Sequence, residues 1–424
     1  MNVLQKICYF FTPYVHPFER RIAKFFRRVS ETHAPAKVEK SLRQLLQTDI
    51  AAVNLWTEYR FKGYNYLTKR TRRRLYENLQ AIKADFTVFE QQQSPNVEQL
   101  LAHIAKKGAN TAQLAAKTEQ LAYLWAIMQY LSPQNGRYVY RESSSFGRLL
   151  QNPAITTLEG DCNQIVTLYI ALYAAKYEVS DLQLTLYPGH VALHFAGVDI
   201  ETTNGTFTKY SKAGQITAPI HEIVSVNLLD THDIHYEKST VNPNVLLESA
   251  RLAYAASSHR KLVKQNLDAM YNNTVRQMLK ENNYTRALQY AQQSKNFELI
   301  EIAAQNGASH ALKAKQFTQA RKFAAVSKQS RRLLETIDAN EAAQLYNAGQ
   351  YEAARKLYAK LRDAAMVERC YKGLYVQAQQ RLGTIRTADD VKANANTIRA
   401  MERYAKKSGD RQLLKSVRQL TKHL

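Results

Sequence analysis

Apolar residues recur at two different periods along this chain, and the change of period outlines its architecture. From His16 to Ser30, Phe18, Ile22, Phe25, Phe26 and Val29 return every three or four positions, and a second helical stretch runs from Val38 to Phe61. That spacing predicts amphipathic helices, because residues three and four apart share one helical face. After Gly189 the period shortens to two. Val191, Leu193 and Phe195 alternate with His190, Ala192 and His194, which predicts a strand with its apolar side turned inward. Helical spacing then returns from Leu262 to Lys280 and continues to the end, with a longer hairpin expected over Val367 to Arg381 and Ala388 to Lys406.

The strand is expected to fold back on itself. Ala196-Gly197 suits a tight turn, which pairs Val198 with Phe195, Asp199 with His194, Ile200 with Leu193 and Glu201 with Ala192. His190, His194, Asp199 and Glu201 then share one face, with Asp199 opposite His194 and Glu201 diagonal to His190. Both pairings, His190–Glu201 and His194–Asp199, are open. The i, i+4 histidines resemble a helical zinc motif, but HVALH lacks the glutamate after the first histidine and its flanks alternate, so neither metal nor other cofactor is expected.

Upstream, Asp161 is placed to cap a helix on which Ile165, Leu168, Tyr169 and Leu172 recur, so Cys162 falls in its first turn. Unpaired N–H groups and the helix dipole there favour a thiolate, with a pKa below the free value of about 8.5.

The order Gly160-Asp161-Cys162, then Gly189-His190-Val191, then Ile200-Glu201-Thr202-Thr203 resembles the transglutaminase-like superfamily, which shares the Cys-His-Asp logic of papain-like enzymes. The resemblance covers residues 130 to 240 and implies an α+β core with Cys162 as nucleophile, His190 as base and Glu201 at the position of the orienting acid, where the family has aspartate. Asp199 lies two residues earlier, and His194 with Asp199 forms the alternate pair. The chemistry implied is acyl transfer or hydrolysis at a peptide or protein amide. It places Cys162 and a ring nitrogen of His190 at or near hydrogen-bond distance. The Cys162 N–H is one oxyanion donor, and Gln164, Tyr138 and Tyr140 are open candidates for the second.

Three further segments, beginning at Tyr284, Phe317 and Tyr351, repeat a pattern with Ala287, Ala320 and Ala354 in register, at intervals of 33 and 34 residues. That period resembles tetratricopeptide repeats, whose paired helices approach on small residues and whose arrays bind peptides or proteins. Only the third copy has the glycine, Gly349, before its helix.

Composition sets bounds on the whole. The chain has 424 residues, 45% hydrophobic, enough for two or three packed domains. Its three cysteines, Cys8, Cys162 and Cys370, imply no disulfide framework and an intracellular, reducing setting. The apolar run Ile7 to Phe11 is too short for a signal peptide, and no stretch is long and apolar enough to span a membrane. Net charge is +23, unevenly placed: residues 1–80 hold 16 Lys/Arg against 6 Asp/Glu, whereas residues 155–240 hold 4 against 10. The shift supports boundaries near 150 and near 245, where Asn242-Pro243-Asn244 punctuates the chain, and the domains expected are a basic helical region over 1–95, the transglutaminase-like α+β core over 96–244 and a tetratricopeptide-like α-solenoid over 245–424. The cations of residues 16–30 and of Lys69 to Arg74 could meet an anionic membrane surface or nucleic acid, which places the protein in the cytoplasm with a peripheral membrane role open.

Overall fold

Pro17 opens the first helix, α1 (Pro17–Arg28), where its missing N–H costs nothing and its fixed φ suits the turn. Phe18, Ile22 and Phe26 on its apolar face are buried against α2 (Pro35–Phe61) and the core beneath, so this face is not free to enter a membrane. α2 is interrupted at Asp49, in an extended conformation, and the Asp49 side chain caps the second segment by accepting the Ala52 N–H at 2.9 Å. The basic run at Lys69 opens α3 (Lys69–Gln91) behind the N-cap Thr68. One of its cations points inward: Arg72 Nε lies 2.9 Å from Glu19 Oε1, and both side chains are fully buried. Removing either partner would strand a buried charge, so Arg72 serves the fold and not a partner. Helices α4 (Val97–Lys106) and α5 (Thr118–Tyr130) follow.

The structure, a computed structural model, describes residues 12–143, 145–210, 214–230 and 242–424; Cys8 and the run Ile7–Phe11 lie outside the described residues. A short parallel pair, β1 (Tyr138–Tyr140) and β2 (Leu158–Gly160), leads into α6 (Cys162–Tyr173). Five antiparallel strands come next: β3 (Leu182–Tyr187), β4 (His190–Phe195), β5 (Val198–Glu201), β6 (Thr206–Thr208) and β7 (Ile216–Pro219), in the order β6-β5-β4-β3-β7. Pro188-Gly189 turns β3 into β4, with Gly189 at φ 76°. At Ala196-Gly197 both residues have positive φ, 46° and 90°, as a tight two-residue hairpin turn requires. The pairing of Phe195 with Val198, His194 with Asp199 and Leu193 with Ile200 is the register expected from the sequence. Val191, Leu193 and Phe195 are buried, and α6 packs against β4.

The protein is thus mixed α+β, with its sheet among helices. α7 (Glu222–Leu229) and α8 (Pro243–Ala256), the latter opening at the expected Asn242-Pro243-Asn244, pack on each other and on α2. A single apolar cluster joins Phe18 to Val263, and it includes the N-terminal helices, α6 and the sheet. The charge shifts near residues 150 and 245, and the domain bounds expected at 95 and 244, are therefore no breaks between compact units. The chain divides instead between Asn273 and Thr274, within α9 (Arg260–Lys280), because charge patterns describe surfaces whereas packing follows apolar faces.

The second unit, Thr274–Leu424, is all helix among the described residues. α10 (Tyr284–Ser294), α11 (Phe297–Lys313), α12 (Phe317–Ala324), α13 (Ser330–Asn347), α14 (Tyr351–Lys360), α15 (Ala364–Arg381), α16 (Ala395–Lys407) and α17 (Arg411–Thr421) each pack on the next. Each copy of the sequence pattern opens a helix, and Ala287, Ala320 and Ala354 are completely buried. The corners before those helices are alike. Asn282, Lys315 and Gly349 adopt φ of 58°, 59° and 72°, and the next N–H returns to a carbonyl five residues back at 2.8 Å in all three. Such left-handed closure satisfies carbonyls at a helix end.

Candidate active site

Asp161 caps α6 as expected. Its carboxylate accepts the N–H groups of Asn163 at 2.9 Å and Gln164 at 3.4 Å, and Gln164 Oε1 returns the favour to Asp161 N–H at 2.9 Å. This capping box makes Cys162 the first helical residue. It also occupies Gln164, whose Nε2 donates to Asp230 at 3.3 Å, so Gln164 is withdrawn from the oxyanion role. Tyr138 is withdrawn too: it is buried and its hydroxyl donates to the Gly160 carbonyl at 2.8 Å, which fixes the turn into α6. Tyr140 is 54% exposed, and its phenol is raised by burial and by the nearby Cys162. Of the three candidates it alone keeps its hydroxyl uncommitted among the described hydrogen bonds.

Strand geometry brings the thiol to β4. Tyr187 and His190 flank the Pro188-Gly189 turn as a hydrogen-bonded pair, which turns the Val191 N–H away from β3 and past β5, whose last residue is Glu201. That N–H lies close enough to the Cys162 sulfur to favour its thiolate. The sulfur's hydrogen-bond partner is Asn163 Oδ1 at 3.8 Å, and no imidazole nitrogen hydrogen-bonds to it among the described residues. Cys162 is thus beside the backbone of His190's neighbour, without a direct thiol–imidazole bond.

Both open histidine pairs form at once. His190 Nε2 is 2.7 Å from Glu201 Oε2, and His194 Nδ1 is 2.8 Å from Asp199 Oδ1. With Glu201 ionised, Nε2 carries the proton and donates, which leaves Nδ1 of His190 as the basic nitrogen. Glu201 also accepts from Thr203 N–H at 3.1 Å, from the Thr203 hydroxyl and from the Tyr210 hydroxyl. Burial would raise its pKa, but His190, Thr203 and Tyr210 outweigh burial and hold it at about 2. Asp199 is likewise lowered against its burial, by His194, by the Thr185 hydroxyl at 2.6 Å and by Tyr210 N–H at 2.9 Å.

Tyr210 therefore joins the two pairs, its main chain on one acid and its side chain on the other. Sequence reasoning missed it, because it follows β6 with no motif of its own. Tyr187 completes the wall: its ring lies 4.9 Å from that of His190 and 5.2 Å from that of Tyr210, centroid to centroid.

The thiol overturns the electrostatic expectation. Burial, then the Asp161 carboxylate, with further contributions from Asp230 and Glu201, push Cys162 up to about 12, and the Val191 N–H only partly offsets them. Asp161 itself is raised to about 7 by burial and by Asp230. The helix start does not win because it is buried and shared with carboxylates. Cys162 rests as a neutral thiol. No group of three metal-ligating side chains converges among the described residues.

No family model matches the chain, and no curated protein matches it. A solved structure described as "Crystal structure of menin reveals the binding site for Mixed Lineage Leukemia (MLL) protein" aligns over 89% of this chain and 92% of its own, at 11% identity and a TM-score of 0.36. A likeness of that degree carries no argument about fold or function.

Proposed function

We propose that the chain is a thiol-dependent hydrolase or acyltransferase acting on a peptide or protein amide, with Cys162, His190 and Glu201 as nucleophile, base and orienting acid. The observation that carries this reading is the clamp on His190: a carboxylate supplied with three further donors fixes Nε2, while the thiol sits against the N–H of the next residue. This is the arrangement expected of a transglutaminase-like core, with glutamate in the place of aspartate.

Because the thiol rests protonated, deprotonation and attack must coincide. His190 Nδ1 takes the proton as sulfur bonds to the carbonyl carbon, and Glu201 stabilises the imidazolium. The Cys162 N–H at the helix start and the Tyr140 hydroxyl are the oxyanion donors this reading assigns. Breakdown expels the amine, which takes the proton back from His190, and water or a second amine then releases the acyl group. The helices of Thr274–Leu424, read as tetratricopeptide-like repeats, would recruit a peptide or protein substrate.

One observation favours a second reading, a scaffold without turnover: the carboxylates around Cys162 oppose thiolate formation. An acylating amide- or ester-based probe separates the two. The enzyme reading expects acylation of wild-type protein at neutral pH that is lost in Cys162→Ala and strongly reduced in His190→Ala. Labelling indifferent to His190 would favour the scaffold.

A further inference from the structure

A trough unrelated to the thiol runs along the N-terminal helices and reaches the segment before β3. Its first part, of about 470 Å³, lies between α1 and α2, and a second part of about 560 Å³ shares Arg21 and Gln44 with it. Arg21, Lys24 and Arg28 line it from one face of α1, three, four and seven positions apart, and Lys37, Lys40 and Arg43 line it from α2. Arg43 is paired with Glu39 at 3.8 Å; no carboxylate pairs with Arg21, Lys24, Arg28 or Lys37 among the described ion pairs. In the first part Phe25, Val29, Val38 and Leu45 form an apolar strip among the cations, whereas the second part is mostly polar and holds one carboxylate, Glu178. The loop that closes one end is fixed, because Arg260 donates to the carbonyls of Glu31 at 2.8 Å and His33 at 2.9 Å.

We infer that this trough is a docking site for an acidic phospholipid surface, with headgroup phosphates and carboxylates on the cations and acyl chain against the apolar floor. Charge complementarity selects an anionic partner, since exposed cations without carboxylate partners, such as Arg21, Lys24, Arg28 and Lys37, neutralise anions at little desolvation cost. The floor selects among anions. A phosphodiester backbone offers nothing apolar to Phe25 and Val29, whereas a lipid offers both chemistries in one molecule. The buried face of α1 excludes the simpler mode in which the helix lies in the membrane on Phe18, Ile22 and Phe26.

The test is sedimentation of the full chain with phosphatidylcholine vesicles, with and without phosphatidylserine. Binding is expected only with the acidic lipid and should weaken as salt rises. Arg21→Gln/Lys24→Gln/Arg28→Gln, which spares the buried face, should lower binding about tenfold or more, while Arg70→Gln/Arg73→Gln/Arg74→Gln, equal in charge and outside the trough, should lower it far less. Val29→Ser keeps every cation and should still weaken binding. Equal losses in the two triple variants, unaltered binding by Val29→Ser, or no response of the wild-type protein to phosphatidylserine would each overturn the inference. So would tighter, equally salt-sensitive binding to single-stranded DNA or to an acidic peptide.

Discussion

Strand β4 carries two imidazole–carboxylate pairs on one face of one hairpin, and they differ in almost nothing except what lies next to them. His194–Asp199 sits at the turn end and His190–Glu201 at the open end, four residues or about 13 Å along the strand. Both acids are held ionised by several donors, and both histidines are about one-fifth exposed. Only the open end lies where α6 delivers a thiol, and the two rings are held by opposite nitrogens, Nε2 in His190 and Nδ1 in His194. A charged pair on a strand is therefore no site in itself. Its chemistry is decided by the neighbouring element.

The sharpest way to break this contrast is to neutralise each acid in turn. Glu201→Gln should slow acylation of Cys162 by roughly 10³–10⁴-fold, because the amide stabilises the wrong tautomer and cannot support an imidazolium. Asp199→Asn should slow it less than about tenfold. A larger loss at Asp199 would move the base to His194.

Acid unfolding offers a second separation. Glu201 titrates at about 2 in the folded chain against an ordinary value of 4.5, so its ionised form stabilises the fold above about pH 4.5, and this stabilisation is lost as pH falls toward 2. The contribution is on the order of 2 kcal/mol, and Glu201→Gln should flatten the acid side of a plot of urea midpoint against pH. Asp161, raised to about 7, acts in the opposite sense, costing stability as pH climbs from about 4 through 7. An acid limb unchanged in Glu201→Gln would mean the clamp is weaker than its geometry implies.

Tyr210→Phe sharpens the comparison further. It deletes the hydroxyl on Glu201 and leaves the N–H on Asp199, so the loss falls on one pair. About 1 kcal/mol of stability and about tenfold in acylation rate are expected to go, read by denaturant unfolding and probe kinetics. The smallest effect concerns the thiol. Asp161→Asn keeps a good N-cap while removing the charge nearest Cys162, so alkylation at pH 8 should quicken several-fold, a change that Asp199→Asn should not produce. Equal rates in both variants would assign the raised thiol to burial alone.

What could be read from the chain itself was local. The capping of α6 by Asp161, the Ala196-Gly197 turn and the strand register depend on neighbours within a few residues, and the structure has all three. What escaped depends on residues far apart. The raised thiol comes first from burial by elements distant in sequence, with Asp230 adding to the adjacent Asp161; the lost oxyanion candidates need Gly160 and Asp230 as partners, and Tyr210 reaches both acids from beyond β6. The joining of the N-terminal helices to the sheet in one core was likewise hidden, because charge drew the eye to a boundary that packing ignores. Arg72 is the same lesson at one residue: a member of a basic run that belongs to the interior.

In the second unit the left-handed corners at Asn282, Lys315 and Gly349 have a consequence for which residues can hold such a turn. The turn is written in main-chain hydrogen bonds of one length, 2.8 Å, and only one of three corners uses the residue that makes it free of strain. Holding asparagine or lysine there costs about 1 kcal/mol per site, a load that neighbouring packing absorbs. Substitutions can therefore accumulate at the corners while the path of the backbone persists. Each corner without glycine holds a reserve of stability that a change to glycine would release.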